Sequence, residues 1–388
     1  MRILFVSELF YPYVKGGAEK RFYEIAVRLA AQGHDVHWVA ARAWEGPADR
    51  DLDGIHLHAI GRPQDLYAED GKRAVWPALR FTFFLVGALI RRRRIFSSAE
   101  VIDSSLYPFF HCFAIRGFLP RKPMVITWHE YWGPYWTEYL GWKGWAGRLV
   151  ERMTPWTATR VLAVADNVER VLEQAGVPRR KLNIVSNGVD CGRIDAVAPS
   201  SEACDVVYFG RLKEHKNVDL LLRATALMAK EMPGIRVTII GDGPERARLE
   251  ALSASLGTAG AVRFTGEIES HDEVVARVKG ARVFVHPSTK EGGSSITLFE
   301  ANGCGVPVVA FRSALGIDEA MIEEGVNGLW VEEFTPEALA EVVLRCLATP
   351  GLQEQLSSSS KAWAARFDWA KSAAASLSAY RMATKRAR

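Results

Sequence analysis

The sequence predicts an α/β protein made of two doubly wound domains with parallel sheets. Short apolar runs typical of buried strands alternate with stretches of helical periodicity along the 388 residues. The alternation stops in a segment rich in Gly, Ser, Asp and Pro, from Asn187 to Asp205, and then restarts. A chain of this length suits two domains that each bury their own core. We place the boundary near residues 190–204, which gives a first domain at 1–190, a second at 204–366 and a terminal helical segment at 367–388.

Each predicted strand is an apolar run bounded by polar or turn-forming residues. In the first half these runs are RILFVS, DVHWVAA, IHLHAI, EVIDSS, MVITWHE and RVLAVAD. In the second half they are DVVYFG, RVTIIG, AVRFTG, RVFVHPS, VPVVA and GLWV. The first helix is predicted from the three-and-four spacing of its apolar residues, with a glycine as its C-terminal cap; these residues are Phe22, Ile25, Ala26, Leu29 and Gly33.

The composition is that of a folded globular protein, with 48% hydrophobic and 24% charged residues. The net charge of +4 is too small to argue for a nucleic-acid partner. Five dispersed cysteines favour a reducing cytosol and argue against structural zinc, since they form no CxxC or Cys/His spacing. The opening run MRILFVSELF is interpreted as a strand and not as a signal peptide, and the apolar stretch Trp76–Ile90 is shorter than a membrane span. We therefore expect a cytoplasmic protein.

The segment from Glu291 to Ala310 combines two acids with a turn of glycines and serines. It predicts a buried strand before the turn, then a helix that carries Glu300, then another buried strand. In an open α/β sheet, ligands bind outside the carboxyl ends of the strands, where such turns gather. Free backbone amides at a helix N-terminus favour an anion such as phosphate. The amides expected to serve this purpose belong to Gly292, Gly293, Ser294 and Ser295.

A second motif, FGRLKEHKN, follows the first strand of the second half. It places Arg211 and Lys216 five residues apart around a turn. Arginine binds two phosphate oxygens at once and lysine acts as a compact point charge, so the two cations suit an anionic ligand. Taken alone, such a pair would be interpreted as exposed surface residues.

Three further strand ends carry residues suited to a ligand site. The motif KGGAEK, with Gly16 and Gly17, lies between the first strand and the first helix, and GDGPE places Gly241 after another strand. The motif TWHE places His129 at a strand end, although a histidine there is also typical of a hydrogen-bonded core. The GxGxxG fingerprint is absent from the sequence, so no nicotinamide site is predicted.

Together these motifs resemble retaining glycosyltransferases of the GT-B fold, the family 4-like enzymes also described as glycosyl transferases group 1. The resemblance covers nearly the whole chain and is strongest from Val206 to Ala310. It implies two Rossmann-like domains that face each other across a cleft, the first binding the acceptor and the second binding the nucleotide sugar, and a terminal helix, residues 367–388, that crosses back to the first domain. Eight residues separate Glu291 from Glu300, one more than the usual family spacing. We place the extra residue in the glycine turn, because loops tolerate insertion whereas one residue added to a helix rotates every later side chain by about 100°.

The resemblance implies a role for each motif. Glu291 would face the transferred sugar and Glu300 would bind the nucleotide ribose. Arg211 and Lys216 would hold the diphosphate, and His129 would contact the donor sugar. The residues expected to take part in catalysis are Glu291, His129, Arg211 and Lys216. Further donor contacts are expected from Gly16, Gly17, Gly241, Gly293, Ser294 and Ser295, and from Glu267 or Ile268 at the base.

The implied activity is the transfer of a sugar from a UDP- or GDP-linked donor to an acceptor hydroxyl with retention of configuration. No cofactor is expected beyond the nucleotide sugar, which is a co-substrate. No metal is expected either, because no Asp-x-Asp motif stands where a diphosphate-bound Mg²⁺ would lie. Two alternatives stay open: a sugar-nucleotide epimerase of the same fold, and a catalytically silent subunit that binds a nucleotide sugar or a lipid.

Two segments of the first domain indicate a membrane surface. Six of the twelve tryptophans lie between Trp128 and Trp156, among tyrosines and cations. The run ALRFTFFLVGALIRRRR, residues 78–94, joins an apolar helix to four arginines, which suits anionic lipid. Each segment alone would be interpreted as a core helix followed by solvated charges, or as an aromatic-lined acceptor pocket. Together they predict peripheral association with the inner face of the membrane and a lipid-linked acceptor glycan.

Overall fold

A computed structural model describes residues 1–14, 16–62, 75–107, 109–313 and 316–386. The chain divides into two compact units, the first comprising Met1–Asn187 with Trp369–Arg388 and the second comprising Gly188–Asp368. The predicted fold class is confirmed, since each unit is an α/β structure built on a mainly parallel sheet.

The strands of the first unit are β1 (Arg2–Val6), β2 (Asp35–Ala40), β3 (Asp49–Leu52), β4 (Ile55–Ala59), β5 (Val101–Ser105), β6 (Met124–Trp128), β7 (Arg160–Ala163) and β8 (Leu182–Ile184). Among the described residues they form one sheet in the order β3-β4-β2-β1-β5-β6-β7-β8. Neighbouring strands run parallel except β3 and β4, which are antiparallel. The central strands β1 and β6 are mostly apolar because helices cover both faces of the sheet, whereas β5 ends in the polar residues Asp103, Ser104 and Ser105.

The helices of the first unit are α1 (Gly17–Ala31), α2 (Val75–Arg91), α3 (Arg93–Ser98), α4 (Phe110–Phe118), α5 (Tyr135–Leu140), α6 (Gly144–Thr157), α7 (Asp166–Gln174) and, from the end of the chain, a helix at Trp369–Arg386. That last helix packs against α1 on one face of the sheet. On the other face, α2 packs against α4, and α4 packs against α6. The first helix has the predicted buried side, and Gly33 follows it with a φ of +82°.

The strands of the second unit are β9 (Cys204–Phe209), β10 (Val237–Ile240), β11 (Val262–Gly266), β12 (Ala281–His286), β13 (Val308–Phe311) and β14 (Gly328–Val331). In the part of this unit that the structure describes, they form a parallel sheet in the order β11-β10-β9-β12-β13-β14. Its helices are α8 (Cys191–Ala196), α9 (Val218–Glu231), α10 (Arg246–Ser255), α11 (His271–Lys279), α12 (Ile296–Gly303), α13 (Pro336–Ala348) and α14 (Leu352–Ala364); the terminal helix Trp369–Arg386 is α15.

Three features differ from the predicted element order. Strand β3 has the sequence DRDL and forms at the sheet edge, where its charged side chains remain in solvent. Strand β8 has only three residues, too few to give an apolar run. The segment interpreted as a linker contains the short helix α8, and the N-cap residue that precedes it, Asp190, accepts a hydrogen bond from the Arg193 amide at 2.9 Å through its side chain.

Candidate functional site

Backbone contacts between the turns after β9 and β10 build one edge of the second unit's sheet. The Gly210 amide donates to Ile240 O at 3.0 Å, and the Leu212 amide donates to Asp242 O at 2.9 Å. Gly241 has a φ of +132°, and a Cβ at this position would collide with the carbonyl oxygen of Gly210. Glycine is therefore required at Gly241 by both backbone conformation and space. These turns hold the two motifs FGRLKEHKN and GDGPE side by side at the carboxyl ends of neighbouring strands.

An ion pair joins the first of these turns to the acidic motif. The Lys216 ammonium donates to Glu291 Oε1. Next to it, Asn217 adopts a left-handed conformation, and its side-chain amide donates to Pro287 O at 3.2 Å and to Thr289 Oγ1 at 3.1 Å. These hydrogen bonds anchor the turn after β9 to the chain that leaves β12. The structure thus brings together two of the predicted site residues that are far apart in sequence.

The Glu291 carboxylate is ionised at neutral pH. Burial alone would raise its pKa, but the charge of Lys216, together with hydrogen bonds to the carboxylate, outweighs burial and lowers the pKa to about 2. His286 Nε2 lies 3.7 Å from Glu291 Oε1 and 3.1 Å from the Ser295 hydroxyl. Burial also lowers the pKa of the His286 imidazole. The site therefore presents a buried anion beside a fixed cation, which suits a reaction that separates positive and negative charge.

The turn after Glu291 has the backbone predicted for a glycine pair, but one of its amides is bonded within the protein. Gly292 and Gly293 have φ values of +62° and +98°, and α12 begins only after Ser295. The Gly293 amide donates to Gly316 O at 3.2 Å, and the Gly293 carbonyl accepts from the Asp318 amide at 2.8 Å. The expectation of four free amides therefore does not hold at Gly293, because its N–H is bonded within the protein.

Glu300 lies in α12 and is buried, with 8% of its surface exposed. His271, the first residue of α11, places its Nε2 3.2 Å from Glu300 Oε1. The start of α11 is fixed by Ser270, whose hydroxyl accepts from the Glu273 amide at 3.3 Å. The sequence motifs did not identify His271 or His286. A search for polar residues at strand ends would have found His286, whereas the contact of His271 depends on the packing of α11 against α12.

The other donor contacts predicted in the second unit, Arg211, Glu267 and Ile268, lie along the same edge of this sheet. Arg211 is exposed, and its carbonyl accepts a hydrogen bond from the buried Tyr208 hydroxyl at 3.1 Å. Glu267 is exposed, whereas Ile268 is half-buried and packs against the apolar core of this unit. Both follow β11, which is separated from β9 only by β10. The motifs of the second half thus converge at the carboxyl ends of β9, β10, β11 and β12.

The glycine turn of the first unit precedes α1. Gly16 is the residue before the helix and has an extended backbone, with φ −151° and ψ 158°, and Gly17 is the first helical residue. Lys15, which belongs to the same motif, lies outside the described residues. A Cβ at Gly16 would meet only the carboxylate end of the flexible Glu19 side chain, so a larger residue would require that side chain to move.

His129 follows β6 in the first unit, and its side chain is half-buried. Burial, and then the charge of Arg21, lower the pKa of its imidazole to about 3, so the ring is neutral at physiological pH. Arg21 is fully buried and donates to Ser186 O at 2.7 Å and to Asn187 Oδ1 at 3.1 Å. The sequence motifs did not single out this arginine, because its position on α1 is the only signal and charged helical residues are usually exposed.

Only some of the tryptophans between residues 128 and 156 are exposed to solvent. Trp128 is fully buried, since it ends a central strand. Trp132 and Trp136 are half-buried in an aromatic cluster, with ring centroids 4.6 Å apart. The exposed members of the segment are Trp142, Trp145 and Trp156.

Two features of the described residues bear on metals and membranes. Within the ranges given above, no group of three or more His, Cys, Asp or Glu side chains is arranged to hold a metal ion. Among the helices that the structure describes, none has both the length and the apolar character required to cross a bilayer.

Comparison with known proteins identifies relatives for both halves. Residues 15–193 match the family model Glycosyltransferase Family 4, and residues 195–363 match the model Glycosyl transferases group 1. Glycogen synthase from Mycobacterium tuberculosis is 25% identical over 100% of this chain and 95% of its own length. Sucrose-phosphate synthase from Thermosynechococcus elongatus has the same fold, with a TM-score of 0.79 and 19% identity over 98% of each chain. Anabaena HepE, solved with UDP-glucose, has a TM-score of 0.71 and 18% identity over 99% of this chain and 98% of its own.

Proposed function

This chain belongs to the family 4-like glycosyltransferases of the GT-B fold, and we propose that it transfers a sugar from a nucleotide sugar to an acceptor hydroxyl with retention of anomeric configuration. Glycosyltransferase activity is supported by the match of both halves to glycosyltransferase models. A UDP-linked donor has the better support, because Anabaena HepE was solved with UDP-glucose; a GDP-linked donor is the alternative.

The observation that carries the proposal is the half-buried ion pair of Lys216 and Glu291 at the carboxyl edge of the second sheet. Cleavage of a glycosyl diphosphate leaves negative charge on the diphosphate and positive charge on the anomeric carbon. A fixed cation and an ionised carboxylate at the same site stabilise the two charges as they develop. Arg211 adds a second cation that can bind two phosphate oxygens. Glu300 is the fourth residue of this site, and we assign it to the ribose hydroxyls.

The proposed reaction takes place on one face of the sugar. The bond between the anomeric carbon and the diphosphate oxygen breaks, and its electron pair leaves with the diphosphate, which Arg211 and Lys216 hold. The acceptor hydroxyl attacks from the same face, and its proton passes to the departing phosphate oxygen. Glu291 stays ionised, since its pKa is about 2, and stabilises the positive charge without forming a bond. Isolation of a sugar attached to Glu291 would contradict this path.

No metal ion is required by this proposal, because protein cations meet the charge of the leaving diphosphate. We extend the proposal to an acceptor glycan carried on a lipid, at the inner face of a membrane. Support for this part comes from the tryptophans and arginines of the first unit that are exposed to solvent.

The test is release of nucleoside diphosphate from a panel of UDP- and GDP-linked hexoses, with and without a phospholipid extract as the source of acceptor. We expect one donor class to be consumed, with faster release when the extract is present and no loss of rate in EDTA. Lys216→Met should abolish release. The control Lys230→Met is the same substitution at an exposed position of α9, outside the site, and should leave release unchanged.

Each other outcome of this assay has a defined meaning. Conversion of the donor into a different nucleotide sugar, without release of diphosphate, would indicate the epimerase. Binding of nucleotide without consumption of any donor would indicate a silent subunit. Equal rates in the presence and absence of the extract would contradict the lipid-linked acceptor.

A further inference from the structure

Exposed apolar side chains are concentrated on one helical layer of the first unit. Among the described residues, fourteen large apolar side chains are exposed, and ten of them lie on α2, α4, α6 and the 3₁₀ turn Gly141–Lys143 before α6. Solvent-exposed Trp142 (77%), Trp76 (74%) and Phe83 (74%) are the most exposed of these. Single exposed apolar residues scattered over a surface are normal, whereas a concentration of them on one face marks a contact site. The others are Leu79, Ile90, Phe118, Trp145, Leu149, Met153 and Trp156.

The exposed residues of α6 form one stripe along the helix. Trp145, Leu149, Met153 and Trp156 recur at intervals of three and four, which places them on one face of a helix. The exposed cations Arg148 and Arg152 occupy the same stripe, and Lys143 precedes it. The opposite side of α6 faces the core and carries the buried Glu151, Thr154 and Thr157.

Helix α2 has the same arrangement. Trp76, Leu79, Phe83 and Ile90 are exposed on one side, whereas the buried residues of the helix pack on the sheet. The exposed cations that accompany this stripe are Arg80 and Arg91, followed by Arg93 and Arg94 in α3. Because α2, α4 and α6 lie in one layer against one apolar core, their outer stripes face away from the same side of the sheet.

Acidic residues are almost absent from the helices that carry these stripes, although α5, which packs against α6 and against the turn Gly141–Lys143, has one exposed acid, Glu138. The sequences of α2, α3 and α4 contain no Asp or Glu, and α6 contains only Glu151. Glu151 is fully buried and accepts hydrogen bonds from the Trp132 and Gly133 amides, both at 2.8 Å, and from Trp136 Nε1 at 3.1 Å. Its carboxylate is thus used to shape the loop after β6 and does not offset the exposed cations.

We propose that this layer, here called the docking face (the outer stripes of α2, α3, α4 and α6 with the turn Gly141–Lys143), binds an anionic lipid bilayer. Tryptophan side chains suit the boundary between headgroups and acyl chains, and the cations beside them attract anionic headgroups. The charge of the face favours this occupant over a second copy of the chain, since two docking faces would bring like charges together. The inference rests on the proposed function in one respect: a lipid-linked acceptor is the reason for the protein to bind a membrane.

The experiment is co-sedimentation of the full chain with vesicles of phosphatidylcholine alone or mixed with phosphatidylglycerol, at two salt concentrations, without nucleotide. We expect binding to the mixed vesicles that weakens in high salt. The variant Trp142→Ser/Trp145→Ser/Trp156→Ser should lose it, and Arg148→Gln/Arg152→Gln should bind about 25-fold more weakly, near fivefold per charge. The matched control Arg223→Gln/Phe334→Ser changes exposed residues of the second unit and should bind as the native protein does.

Folding of the variants is checked by the stabilisation that UDP confers, which should be unchanged because the altered side chains are exposed. Absence of binding to mixed vesicles, or equal binding by the tryptophan variant, would overturn the proposal. A native dimer that becomes monomeric in the tryptophan variant would also overturn it, because the face would then be a contact between copies. Stabilisation by UDP without vesicle binding would refute membrane binding by the docking face but would remain consistent with the proposed transferase. Vesicle binding without stabilisation by any nucleotide would support the docking face and argue against the proposed transferase.

Discussion

Replacement of Lys216 by methionine should destabilise the protein by about 3 kcal/mol at pH 7. Burial raises the Glu291 pKa, and the charge of Lys216 is the largest of the influences that lower it. The net result is a decrease from an ordinary 4.5 to about 2. A change of that size corresponds to about 3 kcal/mol in favour of the ionised form. Only 22% of the Lys216 side chain and 10% of the Glu291 side chain are exposed, so solvent screens the pair weakly. Removal of the cation leaves a buried carboxylate without its main partner, and losses of about 3–5 kcal/mol are typical of that change.

The pH dependence of this effect has a definite sign. In the native protein the Glu291 pKa is lowered, so its contribution to stability is present above about pH 4.5 and is lost as the pH falls towards 2. In Lys216→Met, burial raises the Glu291 pKa, and the carboxyl becomes protonated at a higher pH than in the native protein. The difference in unfolding free energy between the two proteins should therefore be largest at neutral pH and decrease on acidification.

Urea denaturation followed by circular dichroism measures this difference at pH 7 and near pH 4.5. Lys230→Met, which removes an exposed lysine, is the matched control and should change stability by no more than about 0.5 kcal/mol. The double variant Lys216→Met/Glu291→Gln should recover part of the loss, because no uncompensated charge remains. A loss below about 0.5 kcal/mol in Lys216→Met, independent of pH, would show that the ion pair does not hold this carboxylate in its ionised form.

Substitutions at three other positions should have measurable effects. Gly241→Ala should lower the unfolding free energy by more than about 1 kcal/mol in urea denaturation, because its Cβ collides with Gly210 O and its φ is +132°; Gly260→Ala, where no atom lies near, should not. His271→Ala should weaken UDP binding in calorimetry, and His271→Gln should restore part of it, if the imidazole positions Glu300; equal affinities in all three proteins would contradict that role. Burial raises the pKa of Asp103 to about 7, so this group destabilises the fold as the pH rises from about 4 to 7. Stability of Asp103→Asn should fall less over that range than stability of the native protein, and parallel curves would exclude this assignment.

The sequence was sufficient for the fold because buried parallel strands are continuous apolar runs, separated by helical periodicity. It failed at β3, whose residues Asp49–Leu52 have no apolar pattern, and at the three-residue β8. Pairing at a sheet edge stabilises such strands, and that interaction depends on tertiary structure. Within the site, the motifs located Lys216 and Glu291, but the ion pair between them depends on a turn held by Asn217.

Contacts between distant elements account for the parts of the site that the motifs could not predict. His271 and Glu300 meet because α11 packs against α12, and a single histidine in a polar helix start carries no local signal. The composition of residues 128–156 indicated exposed tryptophans, yet Trp128 is buried and Leu149 and Met153 are exposed. Side-chain orientation follows from which side of a helix or strand faces the core, and composition contains no information on orientation.

A nucleotide-sugar site at the carboxyl edge of the second sheet is best tested by thermal unfolding of the native protein and of Glu300→Ala with UDP, GDP and ADP, and with sugar conjugates of each. At one hundred times its dissociation constant, a ligand of the folded state adds about 2.7 kcal/mol to stability. We predict that one nucleotide class stabilises the native protein and that Glu300→Ala loses most of this effect. A native protein that responds to none of these ligands, or a variant that responds as strongly as the native protein, would contradict a nucleotide-sugar site at this edge of the second unit.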